Sequence, residues 1–155
     1  MVRRSDGAPA DSHAYLDPFV ESILEIEPRW QEGLVGLEEY SHLVVIFYLD
    51  RAKRRRSVGL ADGAEGRAGL AKVGFFATRT PRRPNPIGLA CPRLLRRDGL
   101  RLHVRGIDAW DGTPILDLKG YSPRDELHPA ATVPEWLTEL WRQHDREQAT
   151  PDRTS

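Results

Sequence analysis

The chain has 155 residues, enough for one domain with one modest core, and its 23 Lys and Arg balance 23 Asp and Glu for a formal net charge of zero. No apolar run approaches the ~20 residues that a membrane span needs, and the opening MVRRSDGAPADS lacks the apolar segment of a secretory leader, so a cytoplasmic address is expected by default. With Cys91 as its one cysteine, the chain can form no internal disulfide and no cysteine-based metal cluster. That thiol lies in an apolar stretch and reads as packing rather than as a nucleophile.

The zero total hides an asymmetry. Between Arg51 and Ile107 there are 15 Lys and Arg against Asp62, Glu65 and Asp98, whereas the remainder holds 8 against 20. That division predicts a local polyanion-binding face on an otherwise neutral protein, with a solvated surface loop as the alternative for any single arginine.

Residues 1–18 are polar and rich in Asp, Ser, Ala and Pro, and are expected to form a loose arm ahead of a domain over 19–146 and a disordered tail over 147–155. Ser22 to Ile26 is a candidate strand closed by Pro28, and Gly33 to Tyr40 a turn with a short helix, because Leu34 and Leu37 share a face. His42 to Leu49, HLVVIFYL, is too short and too uniformly apolar for an amphipathic helix, and predicts a buried strand ending at Asp50-Arg51. The basic run Arg51 to Arg56 and a Gly/Ala-rich connector up to Leu70 form a loop.

Lys72 to Ala77 and Ile87 to Leu95 predict two further strands. Between them the apolar run stops at Ala77, three of the five residues from Arg79 to Arg83 are arginines, and Pro81, Pro84 and Pro86 stiffen the backbone. Proline fixes φ and restricts the residue before it, so this is a rigid, cationic loop with little freedom to lose on binding. Leu100 to Ile107 alternates, with Leu100, Leu102 and Val104 on one face and Arg101, His103 and Arg105 on the wet one. Asp98-Gly99 before it suits a tight hairpin, Asp111-Gly112 makes a second turn, and Pro114 to Leu118 returns as a strand. Many short strands without alternating long helices argue for an antiparallel barrel or sandwich. Near the end, Thr132-Val133-Pro134-Glu135 resembles a helix start, and Trp136, Leu137, Leu140 and Trp141 recur at helical spacing.

Three ordered phrases carry a family resemblance: GLEEYSHLVVIFYLDRA from Gly36 to Ala52, GFFATRTPRRPNPIGLA from Gly74 to Ala90, and DAWDGTPILDLKGYSP from Asp108 to Pro123. Together they resemble the TsaA-like family, the tRNA methyltransferase O group, with far more specificity than a lone glycine motif. The resemblance implies an all-β fold, a small antiparallel β-barrel with a short C-terminal helix, acting as a homodimer. It also implies S-adenosyl-L-methionine as cofactor and, as acceptor, the N6 nitrogen of threonylcarbamoyladenosine beside the anticodon of tRNA. Carried over position by position, the donor contacts fall on Asp50, Arg51, Arg79, Leu89, Arg105, Gly106, Ile107 and Asp108. Asp111 is the candidate for orienting the acceptor. Lys53, Arg54, Arg55, Arg82 and Arg83 are the candidates for RNA phosphates.

These residue types suit such a ligand. The donor has no phosphate, so neither a Rossmann nor a Walker phrase is required, and the chain has neither. Arg79 offers a fixed fork to a carboxylate, Leu89 a wall for an adenine, and Asp108 an acceptor for an amino group or ribose. The alternative for Arg79 is an ion pair with Asp108 or Asp111. Asp117, Lys119 and Tyr121 alternate along one face, either as functional groups or as a plain Asp117–Lys119 pair. The five histidines show no paired ligand spacing, so no metal is expected.

Some family features depart. An opening strand with an IGxIxSP-like phrase and a proline-arginine-glutamine segment are not recognisable, and Asp50-Arg51 stands where a His-Gln pair is usual. Gly120 replaces proline in DLKGY, which is expected to loosen the backbone after Lys119. Two rival readings therefore stand beside the tRNA enzyme: a nucleoside- or RNA-binding module without turnover, and a methyltransferase acting on a small metabolite.

Overall fold

The structure is a computed structural model, and it describes residues 1–4, 20–52, 60–61 and 72–149. Its centre is the hairpin of β7 (Arg93–Asp98) and β8 (Arg101–Arg105), closed by Asp98-Gly99 with Gly99 at φ 57°. Only glycine adopts that left-handed conformation without strain, as the D-G pair predicts. On the other side of β8 lies β2 (Glu21–Glu25), with Leu24 opposite Leu102 and Ser22 opposite Val104, all four buried. Outside β2 runs β1 (Val2–Arg4), giving a four-stranded antiparallel sheet in the order β1-β2-β8-β7.

The apolar run HLVVIFYL becomes β3 (Leu43–Tyr48), the middle strand of a second sheet between β6 (Ile87–Ala90) and β9 (Ile115–Gly120). Leu43, Val45 and Phe47 from this sheet meet Val2, Leu24, Leu102 and Val104 from the first, and Leu34, Leu94, Ile107 and Ala109 complete the core. A third, two-stranded ladder joins β4 (Leu60–Ala61) to β5 (Val73–Gly74). After β9 come α1 (Pro123–Glu126) and α2 (Glu135–Ala149). Neither helix is long and apolar enough to cross a membrane.

The fold is mainly β with a C-terminal helix, as expected, but the described residues form packed sheets rather than a closed barrel. The expected strand Ile87 to Leu95 is divided at Cys91-Pro92, because Pro92 has no N–H to carry a ladder onward. There the sheets meet only through the His42–Arg93 bridge, flanked by Leu43 N to Pro92 O at 3.0 Å and Leu94 N to Ser41 O at 2.8 Å. At the opposite edge Val2 N donates to Thr113 O at 2.9 Å and Gly112 N to Val2 O at 2.8 Å. These stitches draw the edges together without the continuous register that closure demands. Cys91 sits at the break and is exposed, not packed.

Other expectations are corrected locally. Val2–Arg4 is a strand rather than part of a loose arm; residues 5–19 lie outside the described residues, as do 150–155. The helix continues to Ala149, three residues into the expected tail. Its buried positions are Leu140 and His144, whereas Trp141 is 47% exposed and leaves the predicted stripe. Only Val73–Gly74 of the strand expected over Lys72 to Ala77 is extended. Phe75–Ala77 coils into a 3-10 turn whose Phe75 carbonyl accepts from Thr78 Oγ1 at 2.9 Å. His103, expected on a wet face, is buried because Glu21 and Arg96 close over it, with Nδ1 2.7 Å from Glu21 Oε1. Gly120 lies within β9 opposite Leu43, and the Tyr40 ring rests on it, 2.5 Å from where a Cβ would stand.

Candidate functional site

The carboxyl end of β3 is the meeting point of the three family phrases. Tyr48 N donates to Pro114 O at 2.9 Å and Leu49 N to Pro86 O at 2.8 Å, so the strand end is held between the DGTP turn and the proline loop. Arg51 then reaches across: its Nη2 donates to Asp111 O at 3.1 Å, and its guanidinium lies 5.5 Å over the Trp110 ring. Asp50 is exposed beside it. On the other flank Leu89 pairs with Ile46 and points outward, 49% exposed, while Arg79 Nη2 donates to the Leu89 carbonyl at 3.4 Å. That bond ties the cationic loop back to β6 and leaves an exposed guanidinium beside an exposed aliphatic wall.

The end of β8 carries the next group of expected donor contacts. Arg105 is exposed, with Glu21 and Arg93 as its cross-strand neighbours. Gly106 has φ 90°, a left-handed bend that turns the chain off the sheet, buries Ile107 in the core and brings Asp108 to the surface. Solvent reaches Asp108, yet its carboxyl is recessed enough that desolvation raises its pKa above the ordinary carboxylate value; the nearby Arg4 charge opposes this. A carboxyl in that setting accepts a cationic group readily, since the cation restores what desolvation removed.

Asp111 is engaged by β1. Its Oδ1 accepts from Arg4 N at 3.2 Å and its Oδ2 from Arg3 Nη1 at 3.4 Å, while Arg3 Nε is held by Glu25 Oε2 at 3.0 Å. With Gly112 at φ 83° and the two backbone bonds to Val2, this turn is latched to the first strand. The ion pair offered as an alternative for Arg79 does not form: Asp111 turns to Arg3, and Arg79 to a carbonyl.

The proline loop is tied internally by backbone hydrogen bonds. Arg83 N donates to Pro81 O at 3.0 Å, Ile87 N to Asn85 O at 2.8 Å, and Pro86 is fully buried. Arg82 is exposed, but Arg83 turns inward, with Nη1 donating to Thr78 O at 2.8 Å and Phe75 O at 3.0 Å. Lys53, Arg54 and Arg55 lie outside the described residues. Asp117 and Lys119 form an exposed ion pair at 2.5 Å, and Tyr121 packs edge-on against His42, 6.3 Å between ring centroids. Reading the sequence alone overlooked Arg3 and Arg4, which sit in a three-residue strand too short to show alternation. It also overlooked Trp110 and Phe76, whose neighbours are set only by folding.

On a mainly β scaffold, the end of β3 thus brings together an exposed arginine, an exposed aliphatic side chain and the DGTP turn, and the bend after β8 carries a recessed carboxyl. Residues 2–126 match the family described as the tRNA-methyltransferase O N-terminal domain, and the chain belongs to that family. It is 41% identical over 118 residues to a probable S-adenosyl-L-methionine-binding protein of Pyrococcus abyssi, an alignment covering 76% of this chain and 61% of the relative. With the human tRNA (adenine(37)-N6)-methyltransferase it shares 37% identity over 106 residues, 65% of this chain and 24% of that protein. The crystal structure of TrmO from Pseudomonas aeruginosa superposes with a TM-score of 0.61 at 25% identity, covering 97% of this chain and 71% of that one. The chain thus spans less than two thirds of either of those two curated relatives.

Proposed function

We propose that this protein is an S-adenosyl-L-methionine-dependent methyltransferase whose acceptor is N6 of threonylcarbamoyladenosine next to the tRNA anticodon. The observation that carries the reading is the convergence on the end of β3 of Arg51, the Arg79–Leu89 pair and the latched DGT turn, because these come from all three family phrases. The chain's similarity to an S-adenosyl-L-methionine-binding relative and to a tRNA (adenine(37)-N6)-methyltransferase supports both the donor and a tRNA acceptor.

The residues fit the donor. Arg79 presents an exposed fork for the amino-acid carboxylate, Leu89 an open aliphatic surface for the adenine, and Asp108 a desolvated carboxyl for the ammonium or a ribose hydroxyl. The bend after β8 is assigned the remaining donor contacts, Arg105 and Asp108 by side chain and Gly106 and the buried Ile107 by backbone, together with Asp50 and Arg51 at the end of β3. When bound, S-adenosyl-L-methionine supplies an electrophilic methyl group on a sulfonium. The chain's own part is alignment and exclusion of water, with the N6 proton leaving to solvent, so a strong base is not required. Asp111, with both oxygens engaged by β1, orients the acceptor by fixing the turn that carries it.

Asp108 gives this reading a pH signature. Its folded-state pKa is raised, so it stays protonated above the usual carboxylate value of about 3.9, and a cation bound beside it favours the ionised form. Donor affinity is expected to rise as pH climbs through that raised pKa, with proton uptake by buffer seen when titrations in buffers of different ionisation heat are compared. Asp108→Asn should flatten the dependence; an unchanged profile in the variant would remove Asp108 from the site. The same shift has the opposite sign for folding, because stability falls as pH rises through the window between the unfolded and folded values.

The basic residues Lys53, Arg54, Arg55 and Arg82 are assigned to RNA phosphates on charge, a role read from the salt slope of tRNA binding. A homodimer belongs to the same proposal: Ile87 and Leu89 stand exposed beside the proline loop, and a second copy would supply depth that a small domain lacks. Sedimentation at micromolar concentration reads it. The acceptor itself is tested by mass analysis of nucleosides after incubating the protein with threonylcarbamoyladenosine-containing tRNA and labelled donor. Label at N6 of that nucleoside is expected, and donor turnover that leaves tRNA unlabelled points to a small-metabolite acceptor.

A further inference from the structure

The most exposed aromatic ring of the described residues sits in the basic middle of the chain. Phe76 is 78% exposed, while its neighbour Phe75 is buried, because the 3-10 turn over Phe75–Ala77 sends the first ring inward and the second to solvent. The two rings stay in contact, 4.3 Å between centroids at 53°, so Phe76 is braced from behind. Arg83, anchored by two carbonyls of the same turn, lies 5.6 Å over the Phe76 ring. The two carbonyls hold this guanidinium against the phenyl ring, as a cation–π support for it. From Lys72 to Arg97 the sequence holds seven Lys and Arg and no Asp or Glu, with Arg79 and Arg82 exposed close by in the chain.

We propose that Phe76, backed by Arg83, is a stacking platform for an unpaired base of an RNA loop. The two halves of the patch select that occupant together. A polyanion is drawn by the acid-free basic segment, and a planar π-face is drawn by the exposed Phe76 ring, so the ligand must expose bases as well as phosphates. A duplex satisfies the charge but hides its base faces, which leaves a single-stranded loop. The inference rests on the RNA-modifying reading above and deepens it: while one nucleotide is methylated at the end of β3, Phe76 holds a base elsewhere in the same loop. The turn built by Thr78 and Arg83 keeps the platform rigid, so little entropy is lost on binding.

The test compares Phe76→Ala, Phe76→Leu and Phe76→Trp in the full chain by fluorescence anisotropy with two labelled RNAs, an anticodon stem-loop and a fully paired duplex of equal phosphate number. Phe76→Ala and Phe76→Leu are expected to weaken stem-loop binding roughly tenfold, the scale of one base-stacking contact, whereas Phe76→Trp binds at least as well as the wild type and duplex binding does not change. Equal stem-loop affinity for the alanine and wild-type proteins overturns the platform, as does leucine matching wild type, which would make the contact merely apolar. Sedimentation of the alanine variant separates the other occupant: loss of a wild-type dimer would make this surface a subunit contact and also overturn the proposal. Calorimetry with S-adenosyl-L-methionine on the same variants keeps the two readings apart. Donor binding absent from the wild type counts against the methyltransferase, while intact donor binding with unaltered stem-loop affinity in Phe76→Ala counts against the platform alone.

Discussion

Replacing Gly88 by alanine is expected to lower the unfolding free energy by about 1–3 kcal/mol or more, as overpacking of a filled core does. Gly88 stands directly opposite Phe47 in the β3–β6 ladder, and a Cβ there would lie 2.2 Å from Phe47 Cε2 and 2.5 Å from Cζ. The ring cannot move aside without disturbing its neighbours, since Phe47 is a buried member of the core. Either the ring leaves its rotamer or β6 withdraws from β3, and the second response displaces Leu89 and the carbonyl that holds Arg79. Urea denaturation monitored by tryptophan fluorescence reads the effect. Gly33→Ala, where a Cβ meets nothing within 4 Å, is the control and should fall within about 0.5 kcal/mol of wild type. A Gly88→Ala midpoint equal to the control's would mean that β6 does not pack on Phe47 as described.

The second large effect concerns binding. Arg79→Ala is expected to weaken S-adenosyl-L-methionine by about tenfold or more, the consequence of losing a charged hydrogen bond of roughly 1.5–3 kcal/mol. Its stability should barely change, because the side chain is exposed and makes one long bond to a carbonyl. Arg79→Lys should recover little, since a point charge does not reproduce a planar fork facing a carboxylate. Thermal denaturation alongside calorimetric titration separates the two readouts. An alanine variant that binds like the wild type would move the carboxylate end of the ligand away from this loop.

Much of the architecture was legible because it rests on local rules. The uniform apolar run at Leu43–Tyr48 was too short and too uniform for anything but a buried strand, and the Asp98-Gly99 pair demanded its hairpin. What escaped depends on contacts distant in sequence. Val2–Arg4 becomes a strand only because Leu24, Ile23 and Ser22 are waiting to pair with it and Thr113 to receive its first amide. Pro92 within an apolar stretch marked a strand end, yet the stretch read as one strand because its hydrophobic pattern continues through the break. Gly120 looked like a weak point in the chain but is where the Tyr40 ring rests, a neighbour 80 residues away.

The site shows the same division. Arg79 and Leu89 could be named from their phrase, and the structure brings them together through one bond. That Arg83 would face inward could not be read from composition, because a run of arginines does not say which one the turn will need for its own carbonyls. Asp111 was legible as a turn residue, whereas its engagement by Arg3 and Arg4 required β1 to be in place. Asp108 was picked as an acceptor by chemical type, and its raised pKa comes from the protein that folding packs around it.

Calorimetric titration of the purified full chain with S-adenosyl-L-methionine tests the donor site most directly, since every residue role proposed for β3, β6 and β8 meets in that one ligand. Saturable binding is predicted, competed by the demethylated product and weakened in Arg79→Ala. Absence of heat and of competition in the wild-type protein, under conditions where it remains folded, would contradict the methyltransferase reading outright.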